Sequence, residues 1–249
     1  MLFQRHLRPV ISGVCRNETG RPSYEGVRQA MHSRPGIASM REAVSQSLFT
    51  YWNGLRRDRL APKRFEIEPS CIAGYLPDTF ILERVDPATA RFRLAGTRIS
   101  EAFGAEFRGT NLFDLFDEQD GELLQRQIAA VTSQGAVGLF LISADNGSGL
   151  STTFEVLLLP LTHTRDTVDR FLGSIAPIEK PDWLGTVPLT HRKILSHSLV
   201  WPEGRPHAVI ENMHRQAPFL PTIRQAKIVR SHRRQFRVYE GGLNRLNDE

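Results

Sequence analysis

Several histidines and serines in this sequence are of a type that could support metal or nucleophilic chemistry. His191 and His197 stand six residues apart, but the Cys, Asp or Glu companions of a metal site are missing at ligand spacing. Ser143, Ser151 and His163 fall near predicted β turns, yet no GxSxG elbow is present to expose a nucleophile. The sequence therefore predicts neither a metal centre nor a catalytic triad, and we expect a protein that is not an enzyme.

Two further stretches carry residue types that are common in binding sites. Residues 104–109, GAEFRG, have the wrong glycine spacing for a dinucleotide-binding turn and lack the Lys-Ser/Thr pair of a P-loop, which favours a structural turn. Acidic side chains cluster at residues 114–122. This cluster is typical of a solvated turn and a helix N-terminus, where negative charge meets the helix dipole, with cation binding as a minor alternative.

Composition bounds the class of protein. With 249 residues, 40% of them hydrophobic and 24% charged, the chain can bury one substantial core. Its two cysteines, Cys15 and Cys71, do not suffice for a disulfide framework, and no apolar run approaches the ~18 residues of a membrane span. We expect a single domain in a reducing cytoplasm, without a membrane span.

The net charge of +5 is concentrated at the two ends of the chain. Residues 1–39 hold six Arg against two Glu, and residues 217–249 hold seven Lys or Arg against three acidic residues. The segment between them therefore carries −3. A mildly acidic core argues against a basic nucleic-acid-binding face built into the fold, although the basic ends remain possible contacts.

In the stretch from Arg91 to Phe116 the spacing of apolar residues changes twice, and the other predicted elements are placed relative to this stretch. Phe92 and Leu94 alternate with arginines, as in a strand with one solvated face, and Gly96 ends that strand. Helical spacing of apolar residues follows up to Phe103. The stretch predicts a strand, a short helix, a turn and an apolar anchor.

An amphipathic helix is predicted just after the N-terminal segment. The apolar residues Met40, Val44, Leu48, Tyr51 or Trp52, and Leu55 recur at steps of three and four, which gives about four turns with one apolar stripe. The stripe has two interpretations. It could close one side of the core as a flap, or it could serve as a dimerisation helix.

The remaining pattern predicts an α+β fold. Strands are predicted at residues 79–85, 91–95, 136–144, 150–161 and 168–178. Asp117 or Asp120 can cap a helix whose buried stripe is Leu124, Ile128 and Val131. Because consecutive strands are joined by hairpins at both ends of this order, the sheet should be antiparallel.

With this order in place, several short blocks resemble an alphaproteobacterial PAS-like family, long catalogued as a domain of unknown function, in the PAS superfamily. The resemblance runs from about Leu48 to Glu179, and its most specific block is FRLAGT at residues 92–97. The other blocks are Trp52 with Leu55 and Arg56, Pro62, Arg64, Ile67-Glu68-Pro69, Leu76-Pro77 with Phe80, Phe103-Gly104 and Gly109. The resemblance implies a five-stranded sheet that cups a small cavity and serves signal sensing or partner binding.

This sequence departs from the superfamily's pattern at positions that haem-binding and flavin-binding members need. Haem-binding members commonly use a histidine after the central turn, whereas no histidine lies between His32 and His163. Flavin photosensors need a thiol beside the flavin ring, and residues 96–135 contain no cysteine. The expectation is therefore no haem, no flavin and no metal.

A PAS arrangement would bring nine apolar side chains to one inner surface. These candidate ligand-binding residues are Phe80, Leu82, Phe92, Leu94, Phe103, Phe116, Ile128, Phe140 and Phe154. They provide apolar area and almost no polar groups, so a bound ligand should be small, apolar and colourless. The alternative is that the rings simply fill the core.

The predicted organisation has four parts. Residues 1–39 form a disordered basic segment, 40–60 the amphipathic helix, 61–180 the PAS-like domain, and 181–249 a loosely structured extension with a basic tail. The predicted function is a PAS-type sensor or adaptor in cytoplasmic bacterial signalling, as a homodimer that binds a small apolar ligand or a signalling protein. The alternative is a nucleic-acid-associated regulator that uses the basic termini.

Overall fold

The computed structural model describes residues 39–164 and 166–207, together with the backbone of 228–230 and 235–237. The chain divides into two compact units, Met1–Glu211 and Asn212–Glu249. The N-terminal segment that was predicted to be disordered and basic lies outside the described residues, except for Ser39. Most of the basic C-terminal tail also lies outside them.

The first unit is built from an N-terminal helix, a hairpin, a helical connection and a run of long strands. Within residues 39–207 its described α-helices are α1 (Ala43–Arg56), α2 (Thr97–Phe103) and α3 (Glu118–Gln134). Short 3-10 helices span Arg64–Glu66, Pro69–Asp78 and Leu112–Leu115. The strands are β1 (Thr79–Asp86), β2 (Thr89–Ala95), β3 (Val137–Asp145), β4 (Ser151–Thr162), β5 (Val168–Pro177) and β6 (His191–Val200).

These strands form one antiparallel sheet in the order β2-β1-β5-β4-β3-β6. The predicted α+β class is confirmed, but the sheet has six strands rather than five. The additional strand, β6, lies within residues 181–249, the region expected to be loosely structured. It pairs with β3 along its length at the edge of the sheet, and most of its side chains are exposed or half-buried. An edge strand without a buried alternation leaves no hydrophobic pattern in the sequence.

Helix α1 covers the outer face of the sheet. Leu48 and Trp52 are fully buried there among side chains of β3, β4 and β5. The Trp52 indole donates a hydrogen bond to the carbonyl of Pro160 over 2.8 Å, which fixes the helix across β4. The apolar stripe of α1 is therefore buried within the chain, as the flap interpretation requires.

A buried carboxylate anchors the beginning of α1. Glu155 of β4 is only 1% exposed, and its two carboxylate oxygens accept hydrogen bonds from the backbone N–H groups of Arg41 (2.7 Å) and Glu42 (3.0 Å). The first N–H groups of a helix have no partner within the helix, and a negative charge favours that end of the helix dipole. Glu155 thus ties the start of α1 to the central strand.

The inner face of the sheet packs against α2 and α3. Asp117 caps α3 by accepting a hydrogen bond from the N–H of Asp120 over 2.8 Å, and Gly135 ends the helix in the left-handed conformation with φ 61°. Leu124, Ile128 and Val131 are buried, so the predicted cap, stripe and helix end are confirmed.

The second unit contains an antiparallel pair of short strands, β7 (Ile228–Arg230) and β8 (Gln235–Arg237). Among the described residues, no helix has both the length and the apolar character needed to cross a membrane.

Candidate functional site

A small cavity lies between the inner face of the sheet and the helices that cover it. This inner cavity has a volume of about 40 Å³. Its lining comes from all six strands of the sheet, from α2 and α3, and from the loops around them. The lining residues are Phe80, Phe92, Phe103, Phe107, Leu112, Leu115, Phe116, Leu124, Phe140, Ile142, Val156, Leu158, Ile175 and Arg192. Arg192 is the single polar side chain in this set.

Aromatic rings form much of the cavity wall. The ring centroids of Phe80 and Phe92 are 5.5 Å apart, and those of Phe92 and Phe107 are 5.3 Å apart. Phe103 meets Phe107 edge to face at 5.7 Å and lies 5.1 Å from Phe154. Tilted and edge-on contacts at these distances are the favourable arrangements for aromatic pairs, so they hold the wall in place.

Arg192 extends from β6 to the inner cavity and places its guanidinium over the aromatic wall. The guanidinium carbon lies 4.8 Å from the centroid of Phe103 and 5.9 Å from that of Phe107, within the range of a cation–π contact. Burial lowers the pKa of Arg192 from its ordinary value because the charged form loses water contacts. An arginine remains protonated at neutral pH even so.

A larger cleft opens on the other side of α2. This outer cleft has a volume of about 520 Å³, which is within the usual ~300–1,000 Å³ of small-molecule sites. The start of α1, the helix α2, the end of β5 and residues 178–185 form its walls. Its lining residues are Glu42, Ala43, Val44, Gly74, Tyr75, Asp78, Arg98, Ile99, Glu101, Ala102, Phe103, Phe154, Ile175, Ala176, Pro177, Ile178, Lys180, Leu184 and Gly185.

The outer cleft is more polar than the inner cavity. Asp78 and Arg98 form an ion pair at 2.6 Å on one wall. The pKa of Glu42 is raised above its ordinary value, first by burial and then by the negative charge of Glu155. The cleft therefore combines an apolar floor with charged groups at its rim.

Phe103 borders both spaces. Phe103 and Ile175 contribute to both linings, so we call these two residues the partition between the inner cavity and the outer cleft. The turn after Phe103 is made by Gly104, which has φ 62° and would bring a Cβ to 2.8 Å from Pro188. This glycine ends α2 and thereby fixes Phe103 at the partition.

The structure brings most of the nine predicted side chains together. Five of them line the inner cavity: Phe80, Phe92, Phe103, Phe116 and Phe140. Phe154 lines the outer cleft, whereas Leu82 and Ile128 are buried in the same core without lining either space.

The placement of Leu94 in the inner wall is wrong. Its side chain is 47% exposed, although Phe92 two residues earlier is buried. A register shift lies between Ile81 and Leu82, where Leu94 pairs with Ile81 and Phe92 pairs with Leu82. This bulge adds one residue to β2 and turns Leu94 away from the inner face, because strand side chains alternate between faces.

Arg192 and Phe107 are the most informative residues that the sequence did not reveal. Phe107 lies in the turn after α2, outside any periodic segment, and Arg192 lies on the edge strand β6. Arg192 lies in the region that was predicted to be loosely structured, and nothing in the sequence there indicates that its side chain points toward the core. The only available signal was the aromatic character of Phe107 next to a predicted turn.

The two histidines considered as metal ligands lie far apart on β6. His197 follows His191 by six positions along the strand, which is a distance of about 20 Å at about 3.3 Å per residue. Nδ1 of His191 lies 3.3 Å from a carboxylate oxygen of Asp145 at the surface. In residues 39–164 and 166–207, no group of three or more His, Cys, Asp or Glu is placed to hold a metal ion.

Comparison with known proteins adds a family match and several structural likenesses. A family model described as PAS domain matches residues 40–176. The chain is 16% identical to the Rhodobacter sphaeroides LOV protein, with 42% of this chain and 61% of that chain covered and a TM-score of 0.35. It thus spans about three fifths of the LOV protein. No curated protein matches the chain.

Two other solved structures are similar over part of the chain. One is an RNA-binding light-oxygen-voltage receptor, at 16% identity, with 47% of this chain and 35% of that chain covered and a TM-score of 0.35. The other is the PAS domain of an HTR-like protein from Haloarcula marismortui, at 21% identity, with 41% and 86% covered and a TM-score of 0.31.

Proposed function

Because the chain belongs to the PAS domain family, we propose that it is a non-enzymatic sensor or adaptor that binds a small ligand beside Phe103. Its output passes to a signalling protein in the cytoplasm, and it acts as a homodimer. Membership of the family supports a sensory or signalling role. The inner cavity and the outer cleft beside Phe103 support the binding of a small ligand.

The observation that carries this proposal is the partition itself. An apolar inner cavity and an outer cleft of ligand size share the side chains of Phe103 and Ile175. A ligand in the cleft therefore contacts the partition from outside, and a rotation of the Phe103 ring would admit its apolar part to the interior. Pockets of this kind, apolar with a few polar groups at the rim, are the usual form of small-molecule sites.

The same cleft offers a route from ligand to output. Glu42, Ala43 and Val44, at the beginning of α1, form part of the cleft wall. The position of this helix end depends on the hydrogen bonds to Glu155. A ligand that presses on these residues would shift the balance between docked and undocked forms of α1, which is how differential binding produces a signal.

The proposed homodimer and the signalling partner need a surface other than the apolar stripe of α1, because that stripe is buried on the sheet. Val85 and Leu94 are large hydrophobic residues exposed near the β1–β2 edge, and Leu195 is exposed on the β6 edge. Apolar side chains at sheet edges are common sites of association, so these edges are the surfaces we assign to protein partners.

Replacing the partition residue tests the ligand site. The variant Phe103→Ala should bind the neutral fluorescent probe N-phenyl-1-naphthylamine more tightly than the wild type, because removal of the ring joins the two spaces. Burying about 60 Å² more of the probe at ~25 cal/mol per Å² corresponds to about a tenfold lower Kd.

The matched control is Phe49→Ala, which deletes an equally buried ring on the outer face of the sheet. It should leave probe binding as in the wild type. Both variants are compared at a temperature where circular dichroism shows them folded. Equal probe binding by Phe103→Ala and the wild type would show that Phe103 does not separate two accessible spaces, and the proposal would fail.

A further inference from the structure

We propose that the inner cavity takes a short-chain monocarboxylate, with its carboxylate on the Arg192 guanidinium and its alkyl tail among the phenylalanine rings. This inference rests on the proposed ligand-binding function and names the chemical class of the ligand. It concerns a residue outside the matched family span of residues 40–176, on the edge strand β6.

The guanidinium of Arg192 is half-buried and has few short hydrogen bonds. Its Nη2 donates to the carbonyl of Leu189 over 3.2 Å, whereas the contacts of Nη1 with the carbonyls of Leu115 and Thr190 are 3.5 Å long. Its Nε is buried and has no hydrogen-bond partner. A guanidinium carries five N–H donors, so the Nε–H and one N–H of Nη2 are left without a partner, and the two bonds of Nη1 are longer than the usual 2.7–3.2 Å.

No protein carboxylate compensates this charge within the described residues. None of the ion pairs found there includes Arg192. Two acidic side chains on the neighbouring elements are engaged elsewhere: Asp120 of α3 accepts the N–H of Ile194, and Asp145 of β3 faces His191. Buried charges in proteins are normally paired, so an uncompensated cation at a cavity wall indicates a site for an anion.

The open edge of the guanidinium specifies the shape of that anion. Nε and Nη2 lie on the same edge, and Nη2 uses one N–H for Leu189. The Nε–H and the second N–H of Nη2 are left for a ligand, and arginine can bind a planar carboxylate through two such hydrogen bonds. A single negative charge balances the cation, whereas a phosphate dianion would leave a second charge against an otherwise apolar wall.

The cavity limits the length of the tail. Its volume is about 40 Å³. A water-sized group occupies roughly 10–15 Å³ on this measure, which leaves room for about three carbons. Butyrate fits this description, and its tail would lie against Phe103 and Phe107, whose rings also contact the guanidinium.

Isothermal titration calorimetry of the full chain with butyrate and 1-butanol tests the inference. The two probes share a tail and differ in charge, and sodium chloride keeps the ionic strength equal. The wild type should bind butyrate more tightly than 1-butanol. Arg192→Met should weaken butyrate binding by about tenfold or more, the loss expected for a charged hydrogen-bonded pair, and should leave 1-butanol unchanged.

The control Arg126→Met removes one positive charge from the exposed face of α3, where the side chain is 64% exposed. It should bind both probes as the wild type does. If Arg192→Met fails to fold, Arg192→Lys replaces it. Lysine keeps the charge but loses the planar pair of donors, so it should retain a reduced preference for butyrate.

Two results would overturn the inference. One is equal affinity of the wild type for butyrate and 1-butanol; the other is butyrate binding that folded Arg192 variants leave unchanged. In either case the sensor proposal stands if 1-butanol or the fluorescent probe still binds in a manner that depends on Phe103. Failure of every probe would instead defeat the sensor proposal.

Discussion

At the scale of single residues, Glu42 in the wall of the outer cleft makes the stability of the protein depend on pH. Burial and the charge of Glu155 raise its pKa, so the folded protein holds this proton to a higher pH than the unfolded chain does. Stability therefore falls as pH rises through the interval above the ordinary pKa of 4.5. The ionised Glu42 is a destabilising group at neutral pH.

The variant Glu42→Gln should consequently be more stable than the wild type at neutral pH, because it removes the ionised form. The gain should shrink as pH falls and vanish below the ordinary pKa of 4.5, where the wild-type side chain is protonated in both states. Urea unfolding across this pH range measures it. Glu122→Gln, on the exposed face of α3, is the control. A gain that is independent of pH would contradict this explanation.

Residue-scale prediction from the sequence succeeded where side chains follow a regular alternation. Phe80, Phe92 and Phe140 lie at alternating positions of strands and reach the inner cavity as expected. Leu94 does not reach the cavity, because the bulge in β2 breaks the alternation. No residue type in RFRLA indicates a bulge. Arg192 could not be found because its strand has no apolar pattern.

At the scale of elements, α1 is part of the core. Its side chains Leu48 and Trp52 are fully buried on the outer face of the sheet, and Glu155 binds the two backbone amides that immediately precede the helix. The sequence predicted this helix and its stripe from spacing alone. It could not choose between flap and dimerisation helix, because a stripe needs one partner surface and spacing does not name that surface.

Leu48→Glu should therefore destabilise the chain by about 3 kcal/mol or more, because it deletes a fully buried side chain and puts a charge in its place. Leu55→Glu should cost less, since Leu55 is only half-buried. Chemical denaturation measures both. A folded Leu48→Glu protein whose sedimenting mass is half that of the wild type would instead make α1 the dimer element.

At the scale of the whole molecule, the sheet extends beyond the residues that match the family. The matched residues 40–176 contain β1–β4 and nearly all of β5, whereas β6 lies beyond them and brings Arg192 to the inner cavity. Antiparallel order and fold class followed from hairpin spacing in the sequence. The sixth strand did not, because an exposed edge strand is held by backbone pairing rather than by its side chains.

The basic ends of the chain keep the alternative function open as a prediction. Residues 217–249 carry seven Lys or Arg, and of these residues the structure describes only the backbone of β7 and β8. Salt-dependent binding to nonspecific DNA that is lost when these residues are deleted would favour a nucleic-acid-associated regulator.

The central claim is that a small molecule enters the space enclosed by the sheet, α2 and α3. Nuclear Overhauser effects between 1-butanol and the aromatic rings of the full chain test it most directly. We expect contacts with the rings of Phe80, Phe92 and Phe103, which line the inner cavity. Contacts confined to Phe49 or Trp52 on the outer face, or no contact with any ring, would contradict a ligand site inside the PAS domain.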